Sequence, residues 1–265
     1  MITFRYILVL FLSCIPVLYA GEVRVVSLSP ALTELVCHLG AEKQLVGRSS
    51  VCNYPESVKK ITVAGRFAAP YTEKVISLKP DIVITNDLVN PNLVKTFDSC
   101  RIRCEIMPCR SIAEYRACVQ KLSRLLNVED AGKRELERID EKLRQKIELL
   151  NLKVLWVIWD SPLIVAGKNS LPDEFIKMAG AENVAGSVPQ AYFKCSYDWL
   201  LKQKIDVIVW TASPGGYKKH RFWQKLDAVK RNKIIADLDY DLVQRPGPRV
   251  FGGIEMLKKS LEKMK

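Results

Sequence analysis

The chain has 265 residues, 48% of them hydrophobic and 26% charged, with a formal net charge of +12. That composition excludes disorder as the main state and suits two modest lobes, each large enough to bury a core. Lys and Arg are spread along the chain and mixed with acids, notably in Glu129–Leu150. No basic run is interleaved with aromatics, so the charge reads as a solvated basic surface and not as a nucleic-acid footprint.

In chain order, residues 1–20 carry Arg5, an apolar run Tyr6–Leu12, a break at Pro16 and a small Ala20. This is the pattern of a cleaved secretory signal peptide. An uncleaved anchor is the competing reading, but the apolar run is short for a membrane span. Lipid attachment at Cys14 is the other, since Phe11-Leu12-Ser13-Cys14 resembles a lipobox with Phe in place of its usual first Leu. Val23–Leu28 reads as a strand, and Ser29 with Pro30 as the cap and first residue of a helix that Gly40 stops. A short strand at Leu45–Val46 precedes a polar loop, Ser49–Lys60, and Gly65–Pro70 reads as a second loop. Tyr71–Thr85 is a short helix carrying Glu73, a break at Lys79–Pro80 and a buried strand Ile82–Thr85. A helix at Pro91–Phe97, a strand at Ile102–Met107 and a helix at Ser111–Leu126 continue the strand–helix alternation of a mostly parallel sheet.

Glu129–Leu150 breaks that rhythm. Leu136, Ile139, Leu143, Ile147 and Leu150 fall at three- and four-residue steps, which predicts one long amphipathic helix. The chain then resumes with a strand Leu152–Trp159, a loop Asp160–Ser170, a helix near Pro172–Met178 and helical residues around Arg221–Lys225. A strand at Ile234–Ala236, a loop Asp239–Gly247 and a helix Pro248–Met264 end it. The expected division is a signal peptide at 1–20, an α/β lobe at 21–127, a connecting helix at 128–150 and a second α/β lobe at 151–265.

The two lobes say similar things. Glu73, Lys79 and Asp81 ahead of the strand Ile82–Thr85 line up with Asp198, Lys204 and Asp206 ahead of Val207–Trp210. Glu34-Leu35-Val36 leads to Gly40-Ala41-Glu42 as Glu174-Phe175-Ile176 leads to Gly180-Ala181-Glu182. Ser29-Pro30 and Ser161-Pro162 each close a strand upstream. The reading is therefore two Rossmann-like lobes with mostly parallel sheets, joined by one rigid helix, with a ligand cleft between them.

Nothing in the chain asks for an enzyme. Two histidines stand in no recognisable motif, and Gly215-Gly216 and Gly252-Gly253 lack the pattern of a phosphate-cradling loop. Export leaves Cys37, Cys52, Cys100, Cys104, Cys109, Cys118 and Cys195, an odd number of which some should pair in an oxidising compartment. Cys100, Cys104 and Cys109 crowd one strand, which suggests a local bridge with partners left open. Structural zinc is disfavoured, because no CxxC occurs and only His38 and His220 are available. In α/β sheets ligands bind beyond the carboxyl ends of strands. That gathers Ser27–Pro30, Cys52–Pro55, Asn86–Asp87, Trp159–Leu163 (with Pro162 and Leu163), Trp210–Pro214 and Asp239–Arg245 round one cavity. Aromatic and polar loop groups there suit a large, partly apolar, planar ligand.

VVSLSPALTELVCHLG, VGRSSVCNYP, EKVISLKPDIVI and DLVQRPGPRVFGGIEML together resemble the periplasmic cobalamin-binding proteins, solute receptors of ABC importers whose lobes are joined by a helical backbone. The resemblance spans Val23–Leu261, and the same class serves haem and ferric siderophores. It implies a monomeric periplasmic receptor with no cofactor of its own, which takes a corrinoid as transported ligand and delivers it to the ABC permease. Tyr54 and Pro55 match the family's ligand loop. Asp241 and Arg245 match an acid and a base that bond the corrin's polar side groups. Glu73 and Asp198 match the two carboxylates that dock onto the permease. Phe67 and Asn86 stand where cobalamin receptors carry aromatics, tryptophan in the case of Phe67, so they are ligand-binding positions with altered chemistry. Haem binding through Tyr54 is the alternative within the class; Arg48, Arg66 and Arg245 leave a siderophore possible. A secreted enzyme is the alternative from another class.

Overall fold

The computed structural model describes residues 22–87 and 90–265; the signal-peptide reading and Cys14 lie outside them. The first half contains β1 (Val25–Ser27), α1 (Pro30–His38), β2 (Leu45–Ser49), β3 (Val63–Arg66), β4 (Ala69–Pro70), α2 (Thr72–Ser77), β5 (Ile82–Thr85), α3 (Leu93–Ser99), β6 (Arg103–Ile106) and α4 (Ile112–Leu125). Its sheet has the order β4-β3-β2-β1-β5-β6 and is parallel except for the β3–β4 hairpin. After α5 (Glu129–Arg144), the second half contains β7 (Lys153–Asp160), β8 (Leu163–Ala166), α6 (Leu171–Met178), β9 (Glu182–Asn183), β10 (Tyr192–Lys194), α7 (Tyr197–Leu201), β11 (Val207–Trp210), α8 (Gly216–Lys219), α9 (Asp227–Lys230), β12 (Ile234–Ile235), α10 (Tyr240–Gln244) and α11 (Val250–Glu262). There the order is β10-β8-β7-β11-β12, with β9 also on β7 and only β8 antiparallel to its neighbours. Both halves are mixed α/β with sheets dominated by parallel pairs.

Strand side chains alternate between two cores, as the period of two demands. Val25, Ile82, Ile84, Val154, Trp156, Val207 and Val209 join Leu32, Leu35, Tyr115, Ile139, Phe175 and Leu257 in one continuous core that draws on both sheets. Val26, Val83 and Phe97 fill a second cluster on the outer face of the first sheet, and Leu155, Val157, Ile208 and Trp223 a third on the outer face of the second. Because the largest core crosses from one half to the other, the halves are fused by packing and not merely tethered.

The internal duplication is visible bond by bond. The Asp81 carboxylate accepts the Arg24 amide at 2.8 Å and Asp206 accepts the Lys153 amide at 2.8 Å, so each aspartate pins the start of a central strand. Helices α1 and α6 both begin at a capping serine, Ser29 or Ser170, and both end at a left-handed glycine, Gly40 (φ +81) or Gly180 (φ +84). The counterpart of Ser29-Pro30 is thus Ser170-Leu171-Pro172. Ser161-Pro162 is instead the turn of the β7–β8 hairpin.

Four further expectations change. The connecting helix ends at Arg144, where Gln145 turns extended, and not at Leu150. The sequence periodicity continues, but the Leu150 amide bonds the Gly180 carbonyl at 2.7 Å and its side chain is buried, which draws the segment out of helix and toward β7. Gly65–Pro70 is a hairpin: a Cβ on Gly65 would stand 2.7 Å from both Ala69 O and Pro70 Cα, so only glycine lets the strands fold back this tightly. β8 occupies part of the loop expected at Asp160–Ser170, and α10, capped by Asp239, occupies part of that expected at Asp239–Gly247. No helix among the described residues is long and apolar enough to cross a membrane.

Candidate functional site

Between the halves lies a cleft of about 750 Å³, walled mainly by Val51, Phe67, Ile106, Pro108, Tyr240 and Pro246, with Ser29, Asn86, Arg110, Asp241 and Arg245 as its polar groups. Most of these follow the ends of β1, β2, β3, β5 and β6, the edge where parallel sheets leave room for ligands. A smaller hollow of about 310 Å³ continues from Gln244 into the second half, against Trp156, Ile164, Tyr192 and Val243. Phe67 is 50% exposed and Tyr240 57% exposed, so two aromatic faces are presented to the cleft and not to a core. Large exposed rings in a concavity are what a flat apolar ligand requires.

A hydrogen-bonded network forms one rim. Arg245 Nη2 pairs with Asp241 Oδ1 at 2.6 Å, while Arg245 Nη1 donates to Asn53 Oδ1 at 2.7 Å and to Glu34 Oε1 at 3.0 Å. The Asn53 amide donates in turn to Asp241 Oδ2 at 2.9 Å. Arg249 holds the same Glu34 carboxylate through Nε at 2.8 Å and Nη2 at 2.7 Å. Glu34 comes from α1 and the arginines from the segment after α10, so the contact crosses between the halves. Its counterpart Glu174 reaches the other way, accepting the Ile112 amide at the start of α4 at 2.9 Å. Burial raises the Glu174 carboxyl above its usual range. The paired glutamates thus make reciprocal ties between the halves, and Glu34 with Asn53 holds Arg245 Nη1 from the first half.

Of the residues singled out from sequence, Phe67, Asn86, Asp241 and Arg245 come together in the cleft. Tyr54 stands beside it, 46% exposed, with the Arg249 guanidinium 3.9 Å over its ring. Pro55 opens a short 3-10 turn, Glu56–Lys60, and Pro162 sits in the β7–β8 turn; neither lines the cleft. Leu163 and Trp210 are 6% and 3% exposed and belong to the outer core of the second sheet. Strand parity turns them to that outer face, and Trp210 Nε1 is spent on Ser213 O at 2.8 Å. Trp159, expected at the cavity within Trp159–Leu163, is 55% exposed and pairs with Ile164, which lines the smaller hollow. Asn53, Tyr240 and Gln244 fall within the stretches expected round the cavity, Cys52–Pro55 and Asp239–Arg245, but were not singled out as ligand positions. Asn53 was legible only as a neighbour of Tyr54, and Tyr240 sat in what reads as a loop.

Glu73 and Asp198 occupy matching places. Each is exposed in the first turn of a short helix, α2 or α7, nine residues before the strand that follows, β5 or β11. Short connections return each helix to the start of its strand, which puts its first turn at the edge where strands finish, the edge that bounds the cleft. Neither carboxylate makes an ion pair among the described residues. No group of three His, Cys, Asp or Glu among them is arranged to hold a metal ion.

A family profile described as a periplasmic binding protein matches residues 25–240. The chain belongs to this family. The binding protein is 27% identical over 252 residues to the uncharacterized ABC transporter substrate-binding lipoprotein YvrC of Bacillus subtilis, covering 90% of this chain and 79% of that one. It is 25% identical over 243 residues to a vitamin B12-binding protein of Vibrio vulnificus, covering 88% of each. Among solved structures, the periplasmic heme binding protein HutB of Vibrio cholerae aligns with a TM-score of 0.80 at 20% identity, over 91% of this chain and 99% of that one. The periplasmic vitamin B12 binding protein BtuF of the same species aligns with a TM-score of 0.73 at 20% identity, over 92% and 98%. At such identities the structural likeness establishes the fold. Membership makes the chain an extracytoplasmic substrate-binding protein of ABC-transporter type, in a family of transport proteins and not of enzymes.

Proposed function

We propose that this binding protein captures cobalamin or a related corrinoid in the cleft and hands it to the permease of an ABC importer. The observation that carries the reading is the pairing of two kinds of surface in one concavity: exposed Phe67 and Tyr240, and the Asp241–Arg245 rim. Apolar contact with the macrocycle supplies affinity, while the rim offers both an acceptor and a donor. Corrin amide side chains carry donors and acceptors alike, so a mixed rim suits them. Haem propionates present only acceptors at neutral pH and match the arginine alone. The B12-binding relatives support the same ligand.

Haem is the second reading, and Tyr240 is the observation that favours it. Its exposed phenol is the candidate axial ligand in the cleft, in place of Tyr54, whose ring is covered by Arg249. Both histidines are engaged elsewhere, His38 with Glu135 and His220 stacked on Tyr197. Absorbance titration of the purified protein with cyanocobalamin, cobinamide, haem and a ferric hydroxamate separates the readings. Saturable spectral change with the corrinoids supports the proposal; a shifted Soret band with haem and no response to corrinoids replaces it.

Delivery is assigned to Glu73 and Asp198. Their matched positions on the two halves, exposure and lack of ion-pair partners among the described residues suit a pair of salt-bridge acceptors for basic residues of the permease.

A further inference from the structure

One stretch departs from the even spread of Lys and Arg read from the sequence. Between residues 217 and 233 the chain carries seven Lys or Arg and a single acid, Asp227. Phe222 and Trp223 within it are buried in the outer core of the second sheet, so they anchor the segment and leave its charged side chains outside. The charges fall into two groups. Lys225 and Arg231 line a polar hollow with Lys204 and Asp206 at the amino-terminal end of β11. There Lys230 pairs with Asp227 at 3.2 Å and Lys233 Nζ donates to Met264 O at 2.7 Å. Lys218, Lys219 and Arg221 stand at the other end of the strand. Trp210, the last residue of β11, meets Tyr217 and Trp223 edge-on, with ring centroids 5.4 and 5.0 Å apart. Ser213 bonds Asp160, the last residue of β7. This is the edge where the strands finish and which bounds the cleft. All three cations are exposed and none makes an ion pair among the described residues. Lys218 Nζ lies 5.7 Å from the centre of the Tyr217 ring. The segment is also packed on α7. Tyr197, the neighbour of Asp198 on that helix, stacks on His220 at 5.1 Å and lies 4.2 Å from Phe222. Three unpaired cations are thus held beside the carboxylate assigned to delivery.

We propose that Lys218, Lys219 and Arg221 are a contact surface for an anionic phospholipid bilayer, and that they set the binding protein on the membrane with its delivery edge down. Charge complementarity selects this partner. Asp198 is assigned to basic residues of the permease, and those same residues repel three cations placed beside it. The surface at that level just outside a permease is the lipid headgroup layer, whose anionic members attract exposed Lys and Arg. Each such residue close to the surface is worth about a fivefold gain in binding, over a range of about 8 Å at physiological ionic strength. Three cations therefore give a weak, reversible hold. It raises the concentration of the binding protein at the membrane and orients it, without fixing it there. The orientation rests on the delivery reading; the lipid contact does not.

The test is cosedimentation of the purified full chain with vesicles of phosphatidylcholine alone and with vesicles in which about a third is phosphatidylglycerol. The apolar run Tyr6–Leu12 acts on both alike, so the readout is their ratio. Binding is expected to be about fivefold or more stronger to the anionic vesicles, and to fall as sodium chloride is raised from about 0.05 to 0.5 M. Equal binding to the two kinds of vesicle overturns the proposal. A variant carrying Lys218→Gln, Lys219→Gln and Arg221→Gln is then compared with one carrying Lys60→Gln, Lys133→Gln and Lys263→Gln. The second removes the same charge from three exposed residues elsewhere. The first should lose about tenfold or more of its binding to anionic vesicles and the second less than about twofold. Equal losses assign the attraction to net charge and overturn the surface. Displacement by inorganic phosphate at matched ionic strength marks a free-anion site and also overturns it. Replacing Glu73 and Asp198 by alanine should leave vesicle binding in place. If uptake also survives that double variant, the delivery reading fails and the lipid contact stands.

Discussion

Arg245 is the residue on which the proposed ligand recognition turns, and its surroundings make it testable without collapse of the fold. Glu34 keeps two bonds from Arg249 when Arg245 is removed, so the buried carboxylate is not orphaned. A charge-assisted hydrogen bond is worth about 1.5–3 kcal/mol. Arg245→Ala should therefore weaken corrinoid binding by roughly 10- to 100-fold with an unchanged unfolding midpoint; calorimetry and thermal scanning measure the two. A loss of affinity below about twofold removes Arg245 from the site. The pair Asp241 and Arg245 was legible through the family resemblance of its segment alone, since Asp239–Gly247 reads as a loop. Glu34 was visible only as an echo of Glu174, since no local pattern announces a partner more than 200 residues away.

A second carboxylate predicts acid sensitivity. Glu135 on α5 is buried, which opposes its charge, but hydrogen bonds from His38, Arg138 and Tyr115 outweigh that and hold its pKa at about 2 against an ordinary 4.5. A carboxyl depressed on folding contributes stability that is complete above its unfolded value and is lost as pH falls through its folded value. Denaturant midpoints should thus fall between about pH 4.5 and pH 2, and Glu135→Gln should flatten that fall. Parallel curves for the two proteins contradict the assignment.

At the scale of elements, the place where α5 ends shows what a one-dimensional pattern omits. Leu143, Ile147 and Leu150 continue a helical stripe, yet Leu143 and Ile147 are exposed and Leu150 alone is buried, since tertiary docking at Gly180 overrides the periodicity. The two matched glycines separate the causes. A Cβ at Gly40 meets nothing within 4 Å, whereas one at Gly180 would lie 2.0 Å from Glu148 O. Gly40→Ala should cost about 1 kcal/mol for its left-handed backbone alone. Gly180→Ala should cost about 2 kcal/mol or more and lower the unfolding temperature by roughly 4–8 °C. Equal effects of the two substitutions contradict the close approach. The central strands β1 and β5 were readable because they are β-branched runs buried on both faces. The β3–β4 hairpin is short and partly exposed and reads as loop. β8 and β10 were not, because an antiparallel excursion leaves only short segments between turn residues.

At the scale of the molecule, one core shared by both sheets, the ties from Glu34 and Glu174, and α5 bonded through Arg138 to Pro248 O at 2.9 Å and through Lys142 to Glu255 at 2.8 Å make a stiff frame. Such a frame is expected to hold Glu73 and Asp198 at one separation with and without ligand. Replacing both by alanine should abolish uptake in a transport assay while leaving corrinoid affinity within about twofold, because neither residue lines the cleft. Loss of affinity in the double variant would place these acids in capture and not in delivery. Two α/β halves and the cleft edge followed from the repeat in the sequence. The identity of the cleft walls did not, because it depends on strand parity, which sends Trp210 to one face and leaves Trp159 exposed.

The most direct measurement is a calorimetric titration of the purified protein with cyanocobalamin. The account predicts saturation at one ligand per chain, with heat that disappears when haem is titrated instead. No heat with cyanocobalamin, together with one-to-one binding of haem, contradicts it.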